Sequence, residues 1–269
     1  MVSRPKHCVF ALLLLCAPAW AQPGELPRNP FPDVAASYLV EIDGHTVWEN
    51  QPHRQLPAAS LTKLMTALLV VERKQPDTPV NIDPDAEQAS GLGLKTGETF
   101  RARDLLGAML IASANGACHA LADSVAGSEA HLVQLMNQRA QQLGMRDTRY
   151  ADACGRDAAR QHSSAHDLAL LARELLKHPE ITELTARPGM RIATLNGKRS
   201  VSFSSRNGLI GHYPGVLGLK TGYTRRAGRC QAIYAERNGH QVLLIMLHAR
   251  RWGDAVDILD LAFDRAQRE

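Results

Sequence analysis

Eleven consecutive residues, Leu61 to Val71, contain three polar side chains, Thr62, Lys63 and Thr66, and neither glycine nor proline. Apolar groups therefore point outward at every angle of a 3.6-residue helix, so the segment reads as a helix that the rest of the chain must surround. Only a sizeable domain can do that. The 269 residues, 45% of them apolar, suffice for one large domain or two small ones and exclude disorder as the main state. Lys63 is the anomaly, because an ammonium among leucines is costly unless it has a partner or a chemical task.

Around this helix the chain changes character twice. Ser37 to Ile42 and His45 to Glu49 are strand-like runs separated by Asp43-Gly44, the pair that a type I′ hairpin turn prefers. Helices are predicted over 103–112, 117–126, 129–143 ending at Gly144, and 164–177, where Ser164 and Asp167 form a capping pair. Strand signals then return: Arg191 to Leu195 and Arg199 to Phe203 flank Asn196-Gly197, and Cys230 to Glu236 and Gln241 to His248 flank Asn238-Gly239. A last helix from Asp254 to Ala266 puts Val256, Leu259 and Phe263 on one stripe and Asp257, Asp260 and Asp264 on another. Its acidic face suits packing on a sheet better than lying on anionic lipid. The pattern is α+β, with sheet at both ends and a helical cluster between.

Residues 1–21 read as an export signal: Arg4 and Lys6 give a basic start, Val9 to Leu15 an apolar stretch, and Ala19-Trp20-Ala21 a small-x-small cleavage site. That stretch is too short to span a bilayer comfortably, so an exported, periplasmic protein with no stable membrane anchor is expected. Bulky Leu15 before Cys16 argues against lipidation. Residues 22–33 carry Pro23, Gly24, Pro27, Pro30 and Pro32 and should form an extended leader to a domain over 34–265, with no second β-rich domain after it. Without the signal, 29 basic residues face 27 acidic ones, which leaves no nucleic-acid footprint. Cys118, Cys154 and Cys230 remain, an odd number that requires at least one free or intermolecular thiol. Neither Cys118 with His119 nor His162 with His166 completes a four-ligand pattern, so no metal or other cofactor is expected.

Three short motifs carry chemistry. Ser60-Leu61-Thr62-Lys63 stands where the Pro57-Ala58-Ala59 turn enters the apolar helix, and a spacing of three brings hydroxyl and amine onto one face. A helix N-terminus favours the negative charge of an alkoxide or an oxyanion, and burial lowers a lysine's pKa toward the neutral form that a base requires. Ser113-Ala114-Asn115 falls between two predicted helices, where a hydroxyl and a carboxamide can enter a cleft. Lys220-Thr221-Gly222 belongs on an edge strand: Lys220 and Thr221 could hold an anionic group, and Gly222 leaves a bare surface for a substrate backbone. Each triplet also has a decoy, Ser205-Arg206-Asn207 and Lys95-Thr96-Gly97. What distinguishes Ser60, Ser113 and Lys220 is their order: helix start, interhelical loop, late strand.

The run from Ala58 to Thr66, the Ser113-x-Asn115 loop and the run from Gly218 to Thr224 resemble the low-molecular-mass penicillin-binding proteins, the D-alanyl-D-alanine carboxypeptidase and endopeptidase family of serine peptidases. The resemblance covers about residues 34–265. It implies a β-lactamase/transpeptidase-like α+β fold, with an antiparallel five-stranded sheet formed by both chain ends and an inserted helical cluster. It also implies that Ser60 attacks the D-Ala carbonyl, Lys63 takes its proton and Ser113 relays a proton to the leaving amine. Asn115 would bind the substrate amide, and Lys220 and Thr221 the terminal carboxylate. The backbone N–H groups of Ser60 and Tyr223 would form the oxyanion hole. Arg206 falls where some carboxypeptidases of the family carry a carboxylate-binding arginine, a plain surface arginine being the alternative. Peptidoglycan stem peptides are the implied substrates and β-lactams the implied covalent inhibitors.

The chain departs from the family pattern at Ala114 and Gly116, where Gly and Asp are common, and at Cys154-Gly155, where His-Gly is common. A β-lactamase would need a deacylating glutamate in a Glu-x-x-Leu-Asn context, which is absent between Ser113 and Lys220. A non-catalytic β-lactam sensor would need a transmembrane signalling partner domain. Endopeptidase and carboxypeptidase both stay open: a chain ending after one domain favours the cleavage of cross-links, whereas Arg206 favours a free terminal carboxylate.

Overall fold

The computed structural model describes residues 29–268 apart from Ser90. The expected export signal and most of the leader lie outside the described residues. The chain opens with β1 (Ala35–Ile42) and β2 (His45–Asn50), passes through a 3₁₀ turn (Ala59–Thr62) into α1 (Lys63–Arg73), and continues with β3 (Pro79–Asn81), α2 (Pro84–Gln88) and β4 (Thr99–Arg101). The middle is helical: α3 (Ala102–Ile111), α4 (Asn115–Ala126), α5 (Glu129–Gln142), α6 (Ala165–Leu175) and α7 (Pro179–Thr185). Then come β5 (Gly189–Ala193), β6 (Ser200–Ser204), β7 (Val216–Thr224), β8 (Gly228–Arg237), β9 (His240–Ala249) and α8 (Asp254–Ala266).

The main sheet runs β2-β1-β9-β8-β7 and is antiparallel throughout, so the two ends of the chain are joined where β1 pairs with β9. This is the expected five-stranded sheet. Successive residues of a strand face opposite ways. Along β9, Leu243, Ile245 and Leu247 therefore pack on the helical cluster, whereas Val242, Leu244 and Met246 pack with Ile258, Leu259 and Phe263 of α8. α1 lies inside the cluster and is buried from Lys63 through Val70. Among the described residues no helix is long and apolar enough to cross a membrane.

Two hairpins follow their turn chemistry: Asp43 and Gly44 sit at φ 49° and 81°, Asn238 and Gly239 at 53° and 85°, as a type I′ turn requires. The Asn196-Gly197 hairpin departs from it. Gly197 takes a positive φ of 70° but Asn196 does not; its Oδ1 instead accepts from the Lys198 N–H and the Thr194 hydroxyl. Its strands, β5 and β6, form a separate two-stranded ribbon. α2 and α7 were not expected, since five and seven residues are too few to show a period; each is started by a proline in its first turn. Cys118 and Cys154 form a disulfide, and Cys230 is free and buried.

Leu68 is fully buried in α1. Leu68→Ala is expected to cost about 2–5 kcal/mol through lost packing and a residual cavity, lowering Tm by roughly 5–15 °C in a domain of this size; calorimetry checks it.

Candidate active site

The helix expected from Leu61 starts at Lys63, because Ala59 is held at φ 48°, a left-handed conformation incompatible with an α-turn. Residues 59–62 close instead as a 3₁₀ turn, with Leu61 N–H donating to the Ala58 carbonyl at 3.1 Å. Two glycines press on this turn. A Cβ on Gly155 would overlap the Ala59 carbonyl and lie 2.9 Å from Ser60 Cα. A Cβ on Gly222 would lie 2.7 Å from Ser60 N and 3.1 Å from the Ala59 Cβ. Gly222 is therefore bare so that β7 can close on the Ser60 turn, a packing requirement beside the substrate role expected of it.

Lys63 is wholly enclosed. Its Nζ donates to Ser60 Oγ at 3.3 Å, to Asn115 Oδ1 at 2.8 Å and to the Cys154 carbonyl. Burial pushes its pKa down to about 8; the Asp152 carboxylate opposes that shift and the Arg156 guanidinium adds to it. An amine so placed can exchange a proton with the neighbouring hydroxyl near neutral pH. Asn115 is the first residue of α4, two residues earlier than the expected helix start, and Ser113 lies half-buried just before it at φ 60°. A non-glycine residue in the left-handed region is strained, and such residues gather at functional sites.

The Cys154 carbonyl is delivered by a segment whose amides are all satisfied by side chains. Ala151 and Asp152 donate to Gln161 Oε1, and Ala153 donates to Glu129 Oε1. Cys154, Gly155 and Arg156 all donate to Asp152 Oδ1. Thr66 on α1 donates to the Ala153 carbonyl at 2.6 Å, pinning the segment to the same helix as Lys63. Asp152, Gln161 and Glu129 were missed in the sequence, and Gly155 was noted there only as part of the Cys154-Gly155 pair; the one local signal was an Asx-type turn, Asp152 three residues before a glycine.

The other wall is β7, the edge of the main sheet, as expected. Lys220 is buried there and its Nζ donates to the Thr221 carbonyl at 2.7 Å. Burial, then Lys63 and Arg206, drive its pKa well below the usual lysine range, so an arriving anion would be met by a site short of negative charge. The Thr221 hydroxyl donates to the Arg206 carbonyl at 3.4 Å, and Arg206 N–H to the Ile111 carbonyl at 2.9 Å, tying this segment to the end of α3. The Arg206 side chain is exposed, at a cleft of about 390 Å³ shared with Thr221, Gln231 and Trp252. Tyr223 is exposed and follows Gly222 on β7. Lys95-Thr96-Gly97, by contrast, is an exposed turn bound to Glu87. Among the described residues the potential ligand atoms of His119, Glu129 and Cys154 lie together, but the Cys154 sulfur is engaged in the disulfide.

Residues 27–251 match the family model of D-alanyl-D-alanine carboxypeptidases. The chain belongs to that family. It is a serine peptidase of the D-alanyl-D-alanine carboxypeptidase type. The carboxypeptidase DacF of Bacillus subtilis is 31% identical over 94% of this chain and 69% of its own length. The D-alanyl-D-alanine endopeptidase of Pseudomonas aeruginosa is 30% identical over 77% of this chain and 68% of its own. Penicillin-binding protein D2 of Listeria monocytogenes, solved with ampicillin bound, is 33% identical, covers 86% of this chain and 98% of its own, and superposes with a TM-score of 0.75.

Because Gly155 touches the Ser60 turn, Gly155→Ala should displace that turn and slow acylation by a fluorescent penicillin roughly 10²-fold, the cost of a misplaced reacting group. Gly197→Ala, with nothing within 4 Å of the added Cβ, should leave the rate unchanged.

Proposed function

We propose that this chain is a DD-peptidase acting on peptidoglycan stem peptides through an acyl-enzyme on Ser60, and that β-lactams acylate the same oxygen. The observation that carries the reading is the enclosed amine of Lys63, with its pKa depressed to about 8, in hydrogen-bonding reach of Ser60 Oγ. In this scheme Lys63 takes the Ser60 proton as the hydroxyl attacks the D-Ala carbonyl, and the backbone N–H groups of Ser60 and Tyr223 hold the oxyanion. Asn115 binds the peptide amide and orients Lys63. Ser113 passes a proton to the leaving amine. Lys220, Thr221 and Arg206 receive the terminal carboxylate, and the unpaired side of β7 carries the peptide backbone as an added strand. Export through a signal over residues 1–21 would bring the protein to a periplasmic cell wall, where trimming or opening cross-links bears on cell shape.

Intact-mass measurement after incubation with benzylpenicillin should find one stable adduct, on Ser60. Rapid turnover of the drug would point to a β-lactamase instead. Neutral Lys63 becomes more abundant as pH rises through about 8, so the acylation rate should rise across that range and then level. Lys63→Ala should lose roughly 10²–10⁴-fold in acylation, more than Lys220→Ala, which removes one anion contact among several.

Two substrates separate the finer possibilities: monomeric pentapeptide reports carboxypeptidase action and cross-linked dimer reports endopeptidase action. Both have named relatives, in Bacillus and Pseudomonas respectively. Arg206→Ala should slow pentapeptide trimming roughly tenfold or more, the worth of a charge-assisted hydrogen bond, while sparing dimer cleavage. Equal losses on both substrates would remove Arg206 from terminal-carboxylate recognition.

A further inference from the structure

Besides Ser60, two groups accept from Lys63 Nζ, the carboxamide of Asn115 and the carbonyl of Cys154. They come from separate parts of the chain, the first turn of α4 and the segment 151–156. Cys118 stands three residues after Asn115 on α4, and its sulfur is bonded to that of Cys154. The disulfide therefore joins the residue whose own carbonyl holds the amine to the helical turn that supplies the other acceptor. We propose that the Cys118–Cys154 disulfide is a positioning element for Lys63, fixing the separation of the two acceptors that hold the amine beside Ser60. The inference rests on the reading of Lys63 as the base.

Three observations favour this over a staple for the fold. Covalent staples serve mainly domains too small to build a core, whereas this chain has two extensive cores, one on each face of its sheet. The bond is fully buried, and Gly155, the residue after Cys154, lies against the Ser60 turn. The other attachments of residues 151–156 named above are hydrogen bonds to Gln161, Glu129 and the Thr66 hydroxyl, which tolerate small displacements, while a disulfide allows little change in Cβ separation. Slack here would let the Cys154 carbonyl and α4 separate, admit water to Lys63 and move its pKa back toward that of an ordinary lysine.

The test uses the full exported chain and the acylation rate with benzylpenicillin as a function of pH, in wild type, Cys118→Ala/Cys154→Ala and Ile258→Ala. Ile258 is a buried residue of α8, on the opposite face of the sheet, so its truncation lowers stability without touching the site. Both variants should lose Tm. The paired-alanine variant alone should shift the alkaline rise in rate upward by about one pH unit and acylate about tenfold more slowly at pH 7, in the ratio of neutral amine that such a shift leaves. The deficit should vanish above the new midpoint. A Cys118→Ser/Cys154→Ser pair, whose hydroxyls can hydrogen-bond at about 2.8 Å, should fall between, and it carries the comparison if the alanine pair does not fold. A disulfide-free variant with the wild-type pH profile and a rate within twofold would overturn the proposal. Failure of the base reading looks different: Lys63→Ala would then acylate normally, or the wild-type rate would stay flat through pH 8.

Discussion

An ammonium buried at the start of an apolar helix sets the terms for the rest of this structure. Lys63 opens α1 with no exposed surface, and no carboxylate forms an ion pair with it among the described residues. Taking such a charge out of water is expensive, and the fold meets that cost in two ways. It surrounds the amine with neutral oxygens from Ser60, Asn115 and Cys154, and it lets the pKa fall so that the neutral form is accessible. The same burial that makes the lysine costly makes it useful, since a solvated lysine is protonated at neutral pH and cannot take a proton from a hydroxyl.

To satisfy that amine the chain must bring distant elements to one point. Ser60 is fixed by a 3₁₀ turn clasped between Gly155 and Gly222, one from the helical cluster and one from the edge strand. The edge strand exists because the N-terminal hairpin joins the far side of β9, leaving β7 with one unpaired side next to the turn. The sheet therefore does more than form a core. Its strand order puts β7 at the edge of the sheet, where it forms one wall of the site.

Electrostatics separates the two lysines. Lys63 feels Asp152 and Arg156, whose effects oppose each other, so its shift is moderate. Lys220 feels burial and the two cations Lys63 and Arg206, with no opposing carboxylate among the groups that shift it, so its proton is held weakly. The site thus contains two amines whose surroundings differ, one with a carboxylate to oppose the shift and one without, although in sequence both are lysines in apolar runs.

Much was legible from sequence because it depends on neighbours along the chain. Asp43-Gly44 and Asn238-Gly239 specified hairpins through their own φ preferences, the apolar run after Leu61 specified a buried helix, and the order of Ser60, Ser113 and Lys220 specified a site. Positions that depend on what packs from elsewhere were not legible. Ala59 turned the expected helix start into a 3₁₀ turn because Gly155 and Gly222 crowd it. Gly222 proved to be a packing requirement. The amides of residues 151–156 found their acceptors in Glu129, Asp152 and Gln161, and no periodicity foretells side chains closing onto amides across a fold. Three cysteines indicated that one thiol must be left over, but which two would pair was set by α4 and the Cys154 segment meeting at Lys63. Sequence alone named the candidate reacting groups, because their chemistry belongs to the residue type; tertiary structure decided their distances and the direction of their pKa shifts, because those depend on what surrounds each group when water is excluded.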